Sequence, residues 1–340
     1  MVRRVRLVSF NLLHGRSLTD GLVDADRLRT AMQALDADIL GIQEVDRDQP
    51  RSSGLDFTAL AAEALGAPYF RFSPALNGTP GGQWRAARDA DAAGFPAYGV
   101  GLISRLPVHR WEVRRLAAAP IRSPVLVPGS RRPIWVQDEP RVLLAAVLAA
   151  GAVVRTVATT HLSFVPGWNV VQLRQVVTAL RQLPGPRVLL GDLNLPGPLP
   201  RWLSGWHPLA EVKTYPVDRP SVQLDHVLAE RPGPRVLAAE ARALPLSDHR
   251  AVIVDLAEES GECGERGRRC RPARDGDWWD GDWWDGDWWD GDDRPSTSPA
   301  VARRERGGQR CWPSSCWPCS PRCSSSAVAG TSPDRSGPRR

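Results

Sequence analysis

With 42% apolar residues, the 340-residue chain has enough hydrophobic material for a sizeable core, as one large domain or two ordinary ones. No run approaches about 18 uninterrupted apolar residues, which excludes a predicted transmembrane helix. The start, MVRRVRLVSFNLLHG, has too short an apolar run for a secretory signal and reads as a first strand. The formal net charge is +6, and because acidic and basic residues nearly cancel beyond Ala257, the basic excess lies in residues 1–257. That balance suits a polyanionic or phosphate-bearing substrate, or simply marks an Arg-rich soluble surface.

Val5–Phe10 is short, apolar and β-rich, a strand. Asp24 is placed to cap a helix with Leu28, Met32 and Leu35 on one face. A strand over Ile39–Val45 follows, then a second helix from the cap Asp56 through Leu65, closed by Gly66. Tyr98–Ser104 is another strand, and Val142–Leu148 with Val153–Thr160 read as a hairpin around Ala150-Gly151. Trp168, Val171, Val176 and Leu180 fall near helical spacing on a helix that ends before Pro184. Arg187–Leu190 and Ala251–Leu256 are the late strands. Leu76–Ala97 and Leu116–Glu139 read as long loops, either substrate-contacting or plain surface insertions. Hairpins mixed with crossovers predict an α+β layered domain with mixed sheets.

The strongest local signal is Gly191-Asp192-Leu193-Asn194, directly after an apolar strand. Side chains alternate along an extended chain, so Asp192 and Asn194 point the same way at a strand end. Ser247-Asp248-His249 precedes the last strand, and its acid and imidazole either form an orienting pair or bind metal and phosphate separately. Asn11, Glu44, His161 and Asp225 sit at similar strand edges. Each has an ordinary reading as a turn or solvated strand-end residue; together they predict convergence on one sheet edge. His226, next to Asp225, is expected to point the opposite way, and His109 and His207 have no supporting context.

The ordered set SFN, QEV, THL, GDLN, LDHV and SDH resembles the endonuclease/exonuclease/phosphatase superfamily over about Val5 to Leu256. The resemblance implies a four-layer α/β/β/α sandwich of two packed mixed sheets with the site at one edge. It implies a phosphoesterase in which Glu44 is the main ligand of Mg²⁺ (or Mn²⁺), with Asn11 close by and Asp248 as a further ligand. Asp192 would orient or deprotonate the attacking water, and Asn194 would hold a phosphate oxygen. His249 would stabilise the transition state as imidazolium, with Asp248 raising its basicity and fixing its tautomer. Asp225 would act near the leaving oxygen or a second metal, and His161 would contact the phosphate. His14, Arg85 and Arg88 are candidate substrate contacts. A nuclease is favoured over a lipid or inositol phosphate phosphoesterase; a non-catalytic module that kept the fold is the other alternative, and neither the substrate nor the oligomeric state is read from the sequence.

The composition changes after Ala257. The predicted division is therefore a catalytic domain over 1–257 and a low-complexity, disordered tail over 258–340. The tail repeats Gly-Asp-Trp-Trp-Asp three times and carries all six cysteines, so the first 257 residues need no disulfide and fit a reducing, cytoplasmic setting. Cys311, Cys316, Cys319 and Cys323 approach metal-site spacing, but without a scaffold around them.

Overall fold

The computed structural model describes residues 3–89, 91, 94–125, 134–149 and 152–258. The turn at Ala150-Gly151, the Trp repeats and the six cysteines lie outside the described residues. Backbone packing divides the chain into Met1–Arg266 and Gly267–Arg340, and all the described residues belong to the first unit. Among them, no helix is long and apolar enough to cross a membrane.

In chain order the elements are β1 (Arg3–Asn11), α1 (Ala25–Leu35), β2 (Ile39–Arg47), α2 (Phe57–Leu65), β3 (Tyr69–Gly78), β4 (Trp84–Ala86) and β5 (Ala97–Ser104). There follow β6 (Val108–Leu116), β7 (Arg122–Val125), β8 (Ile134–Gln137), β9 (Arg141–Leu148), β10 (Thr156–His161) and α3 (Trp168–Arg181). The last are β11 (Arg187–Asp192), α4 (Leu199–Ser204), β12 (His207–Pro208), β13 (Asp225–Ala229), β14 (Val236–Arg242) and β15 (Ala251–Glu258). One sheet has the order β14-β15-β1-β2-β5-β3-β4 and the other β12-β13-β11-β10-β9-β6. Both are mixed, with β1–β2 and β10–β11 parallel and their outer neighbours antiparallel.

Alternation along the strands builds the layers. On β1, Val5 and Leu7 enter the core between the sheets, while Val8 and Phe10 pack under α1 and α2 with Leu28, Met32 and Phe57. On β11, Val188 and Leu190 enter the same central core, and Leu189 packs beneath α3 with Leu173 and Val176. The result is the expected four-layer α/β/β/α sandwich. The predicted caps form: the Asp24 carboxylate accepts from Arg27 N, that of Asp56 from Thr58 N and Ala59 N, and Gly66 closes α2 at φ 61°.

The two predicted loops are partly strand. The first holds the end of β3 and all of β4, and the second holds the β7–β8 pair. β6 and β14 also went unpredicted. β6 is an edge strand dense in charge, and β14 is an edge strand whose residues are mostly exposed, so neither carries an apolar alternation.

Candidate active site

Three site residues form one rung across the second sheet: His161 on β10 pairs with Asp192 on β11, which pairs with Asp225 on β13. Each continues the row of its strand that fills the central core — Val157, Val188 with Leu190, and Val227 — so the rung caps that core at the strand ends. His226 faces the other way, as expected, and its Nε2 donates to the Leu195 carbonyl at 2.9 Å. Gly191 makes the rung possible. Its φ is +154°, and a Cβ there would lie 2.1 Å from the Thr160 carbonyl oxygen.

The first sheet contributes differently. Leu40 and Ile42 of β2 face the helices, and simple alternation would send Glu44 there too. A bulge between Ile42 and Val45 interrupts the pairing with β5, and Glu44 takes φ 54°. Val45 thereby returns to the helix side and Glu44 reaches the cavity. Just below, Gln43 crosses between the sheets and donates to Thr159 Oγ1 at 2.9 Å.

Asn11 joins the two contributions. Its Nδ2 donates to Glu44 Oε1 and to Asp192 Oδ2, both at 3.0 Å, while its Oδ1 accepts from Leu13 N at 3.0 Å. Its oxygen is thus engaged, and Asn11 positions the two carboxylates where the sequence reading made it a ligand near the metal. Ser247, at φ 72°, donates from Oγ to the Asn11 carbonyl at 2.6 Å and accepts from His249 N at 3.0 Å. This ties the Ser-Asp-His turn to the end of β1.

Two expected roles are exchanged. Asp225 holds His249, with Oδ2 2.8 Å from Nδ1; Asp248 Oδ1 lies 3.9 Å from the other ring nitrogen. Asp225 therefore fixes the orientation of the ring, and Asp248 is left facing the cavity. Asn194 is also reassigned. Its Nδ2 lies 3.1 Å from His161 Nε2 and 3.0 Å from the Leu162 carbonyl, so both amide hydrogens are in use and it anchors His161 rather than a phosphate oxygen. Its backbone N–H donates to Asp192 Oδ1 at 3.0 Å.

The two histidines are tuned in opposite directions. Burial, with the charges of Arg141 and His249, pushes His161 well below the usual imidazole range and keeps it neutral. Burial also opposes the imidazolium of His249, but the charge and hydrogen bond of Asp225, with Asp192 and Asp248 behind, outweigh it and raise His249 to about 10. Burial lifts Asp192 to about 7, the Asp225 charge adding and His249 with two hydrogen bonds subtracting. The Asp192 Oδ2 atom stands 3.8 Å from His249 Nε2 and 3.7 Å from His161 Nε2.

The cavity over these groups holds about 500 Å³. Tyr98, Glu139, Arg141 and Tyr215 also line it, and none was singled out from the sequence. The Tyr215 ring packs 4.9 Å from that of His249. Burial raises Glu44 and Glu139; Asp248 adds to the first, and Glu44 adds to the second. Hard oxygens that repel one another around a shared space fit a divalent cation such as Mg²⁺ or Mn²⁺. Asp192, Asp225 and His249 could also offer one ligand atom each within 4.8 Å of one another. His249, however, is held as imidazolium and bound to Asp225, so that trio suits proton chemistry better than ligation.

Of the expected substrate contacts, Arg85 pairs in the open with Asp91 at 2.7 and 2.8 Å, and the Arg88 backbone donates to the same carboxylate. Neither lines the cavity, nor does His14, which burial and Arg51 lower to about 4.

Residues 8–249 match the model of the Endonuclease/Exonuclease/phosphatase family. Among solved structures, the chain is similar to an endonuclease/exonuclease/phosphatase from Beutenbergia cavernae (21% identity, TM-score 0.50, covering 75% of this chain and 72% of that one). It is also similar to a protein of that family from Bacteroides thetaiotaomicron (15% identity, TM-score 0.49, 76% and 100% covered) and to sphingomyelinase C from Streptomyces griseocarneus (16%, 0.47, 75% and 99%). No protein of curated function matches the sequence.

Proposed function

Because the chain belongs to the Endonuclease/Exonuclease/phosphatase family, we propose that it hydrolyses phosphate esters with a divalent cation, by attack of water in line with the leaving group. The observation that supports this most is the pairing of a carboxyl raised to about 7 with an imidazole raised to about 10, 3.8 Å apart on one cavity. Asp192 takes the proton of the attacking water, and a base near 7 is matched to neutral pH. His249, kept protonated by Asp225, donates from Nε2 to a phosphoryl oxygen as negative charge grows there. Glu44 and Asp248 hold Mg²⁺ or Mn²⁺, which when bound supplies Lewis-acid stabilisation of the phosphoryl and leaving oxygens. Asn11 keeps Glu44 and Asp192 in register, and Asn194 does the same for His161.

The substrate we favour is a phosphodiester of nucleic acid, on the basic balance of residues 1–257. The absence of cysteine there supports a reducing, cytoplasmic setting. The test is a substrate panel of plasmid DNA, single-stranded DNA, RNA, sphingomyelin and inositol phosphates, each with EDTA and with Mg²⁺ or Mn²⁺ restored. Turnover that stops in EDTA and returns with either metal is expected. Full turnover in excess chelator overturns the metal requirement, and cleavage confined to sphingomyelin or inositol phosphates overturns the nuclease reading.

A further inference from the structure

Away from the active-site cavity, a second, polar cavity of about 360 Å³ opens where β3 of one sheet faces β6 of the other. Four arginines line it: Arg47, Arg71, Arg88 and Arg115. Two aspartates line it too, but both are engaged. Asp89 accepts from Arg115 Nε and Nη2 at 3.0 and 2.8 Å, and Asp91 is held by Arg85, by Asn77 and by the Arg88 backbone. Arg71 and Arg88 are exposed, and neither guanidinium makes a hydrogen bond among the described residues, although the Arg88 charge also acts on Asp91. Arg47 lies over the Phe72 ring at 4.6 Å, and its buried Nε has no hydrogen-bond partner; its nearest carboxylate, Asp48, is 3.9 Å away.

The guanidiniums of Arg71 and Arg88, neither hydrogen-bonded to a carboxylate, therefore share one open cleft with that of Arg47, which is paired only at 3.9 Å with Asp48. The lining carries four arginines against two aspartates, and an anion in the cleft would balance the excess. Guanidiniums match phosphate oxygens as donors, and a cavity of this size is in the range of small-ligand sites. Phe72 and Trp111 add aromatic walls.

We propose that this cleft is a second site for phosphate groups, separate from the reaction centre, filled either by a free diphosphate ligand or by the backbone of a nucleic acid strand. The inference does not depend on the reaction proposed above. Its test is binding by the full-length chain in EDTA. Removing the metal leaves the carboxylates around Glu44 unneutralised, which weakens polyanion binding at the reaction centre, and the difference between cleft and control variants isolates the arginine cleft. Inorganic pyrophosphate and a labelled single-stranded oligonucleotide are titrated into the wild type, into Arg71→Gln/Arg88→Gln, and into Arg231→Gln/Arg235→Gln, which removes two exposed arginines elsewhere.

Pyrophosphate affinity is expected to fall about tenfold or more in the cleft variant and to change little in the control. If oligonucleotide binding falls as well, with its log–log salt dependence flatter by about 1.4, the phosphates come from a strand. If only pyrophosphate binding falls, the ligand is a free diphosphate. A wild type that does not bind pyrophosphate, or a control variant weakened as much as the cleft variant, overturns the proposal. A chain that binds pyrophosphate as expected but cleaves no phosphate ester would instead refute the proposed hydrolysis and leave this site standing.

Discussion

The two sheets furnish the active site by opposite means. The second sheet obeys strand alternation: His161, Asp192 and Asp225 end three core-facing rows and stand side by side because their strands are in register. The first sheet departs from it. Glu44 reaches the cavity through a bulge and a positive φ, a conformation that costs a non-glycine residue of order 1–3 kcal/mol. Strain of this kind persists only where surroundings hold it, and Asn11, hydrogen-bonded to both Glu44 and Asp192, is the holder. The groups proposed for proton chemistry are therefore drawn from both sheets, Asp192 from the regular rung and His249 from the turn before β15, while the carboxylate proposed for metal rests on the bulge.

The largest expected effect concerns the pair proposed for proton chemistry, one member from each sheet. Asp192→Ala and His249→Ala should each lower kcat by roughly 10²–10⁴, the range for positioned acid–base groups, with circular dichroism unchanged. A well-folded His249→Ala enzyme with near-normal turnover would show that the reaction centre lies elsewhere. Glu44→Gln should also lower kcat, by about 10², but with a second signature. Mg²⁺ should raise the melting temperature of the wild type by mass action and leave that of Glu44→Gln almost unmoved. An equal metal-induced shift in both proteins would remove Glu44 from the metal site.

Asp225→Asn probes the link between the two sheets, from β13 to the turn before β15. It should cost kcat about 10–100-fold and bring the His249 imidazole down from about 10, a titration that NMR can follow. The sign for stability is fixed by that raised value. The imidazolium–Asp225 stabilisation is complete below the unfolded pKa of about 6.5 and is lost as pH rises through about 10. The melting-temperature gap between wild type and variant should therefore be widest near pH 6 and narrow toward pH 10.5. A gap that widens with pH would mean Asp225 does not hold a charged His249.

Backbone geometry comes next in size. Gly191→Ala should destabilise by about 1–3 kcal/mol, because its Cβ would meet the Thr160 carbonyl at 2.1 Å with no flexible side chain to yield. Activity should fall with it, since the displaced strand carries Asp192. An unchanged melting temperature would mean that β10 and β11 can separate cheaply beneath the rung.

What sequence reasoning could find follows the same division. Alternation places Asp192 and Asp225 correctly and turns His226 away, since those strands are regular. It places Glu44 on the wrong face, because one inserted residue reverses every later side chain of β2 and no residue type marks the insertion. The pairing of Asp225 with His249 is tertiary, joining residues 24 apart, and adjacency in sequence favoured Asp248 instead. Arg85 and Arg88 looked like free cations in a loop; the structure commits Arg85 to Asp91 and gives Arg88 to a different cavity. Arg141 and Tyr98 escaped notice because each reads as an ordinary strand residue until the sheets pack.

The smallest effect concerns the outer layers, where local sequence rules suffice. The Asp56 carboxylate accepts from two backbone N–H groups at 3.0 Å and so satisfies two of the otherwise unpaired donors at the start of α2. Asp56→Ala should cost about 1 kcal/mol of stability, the usual size of a lost helix cap. The helix packs through Phe57 and Ala61 on the side of the first sheet away from the central core, and no residue of α2 lines the active-site cavity. Turnover at a temperature well below the melting transition should therefore match the wild type. One route by which the cap reaches the chemistry is β2, which lies under α2 and carries the bulge at Glu44. If kcat falls tenfold while stability drops by only about 1 kcal/mol, the strained Glu44 depends on α2 for its support as well as on Asn11.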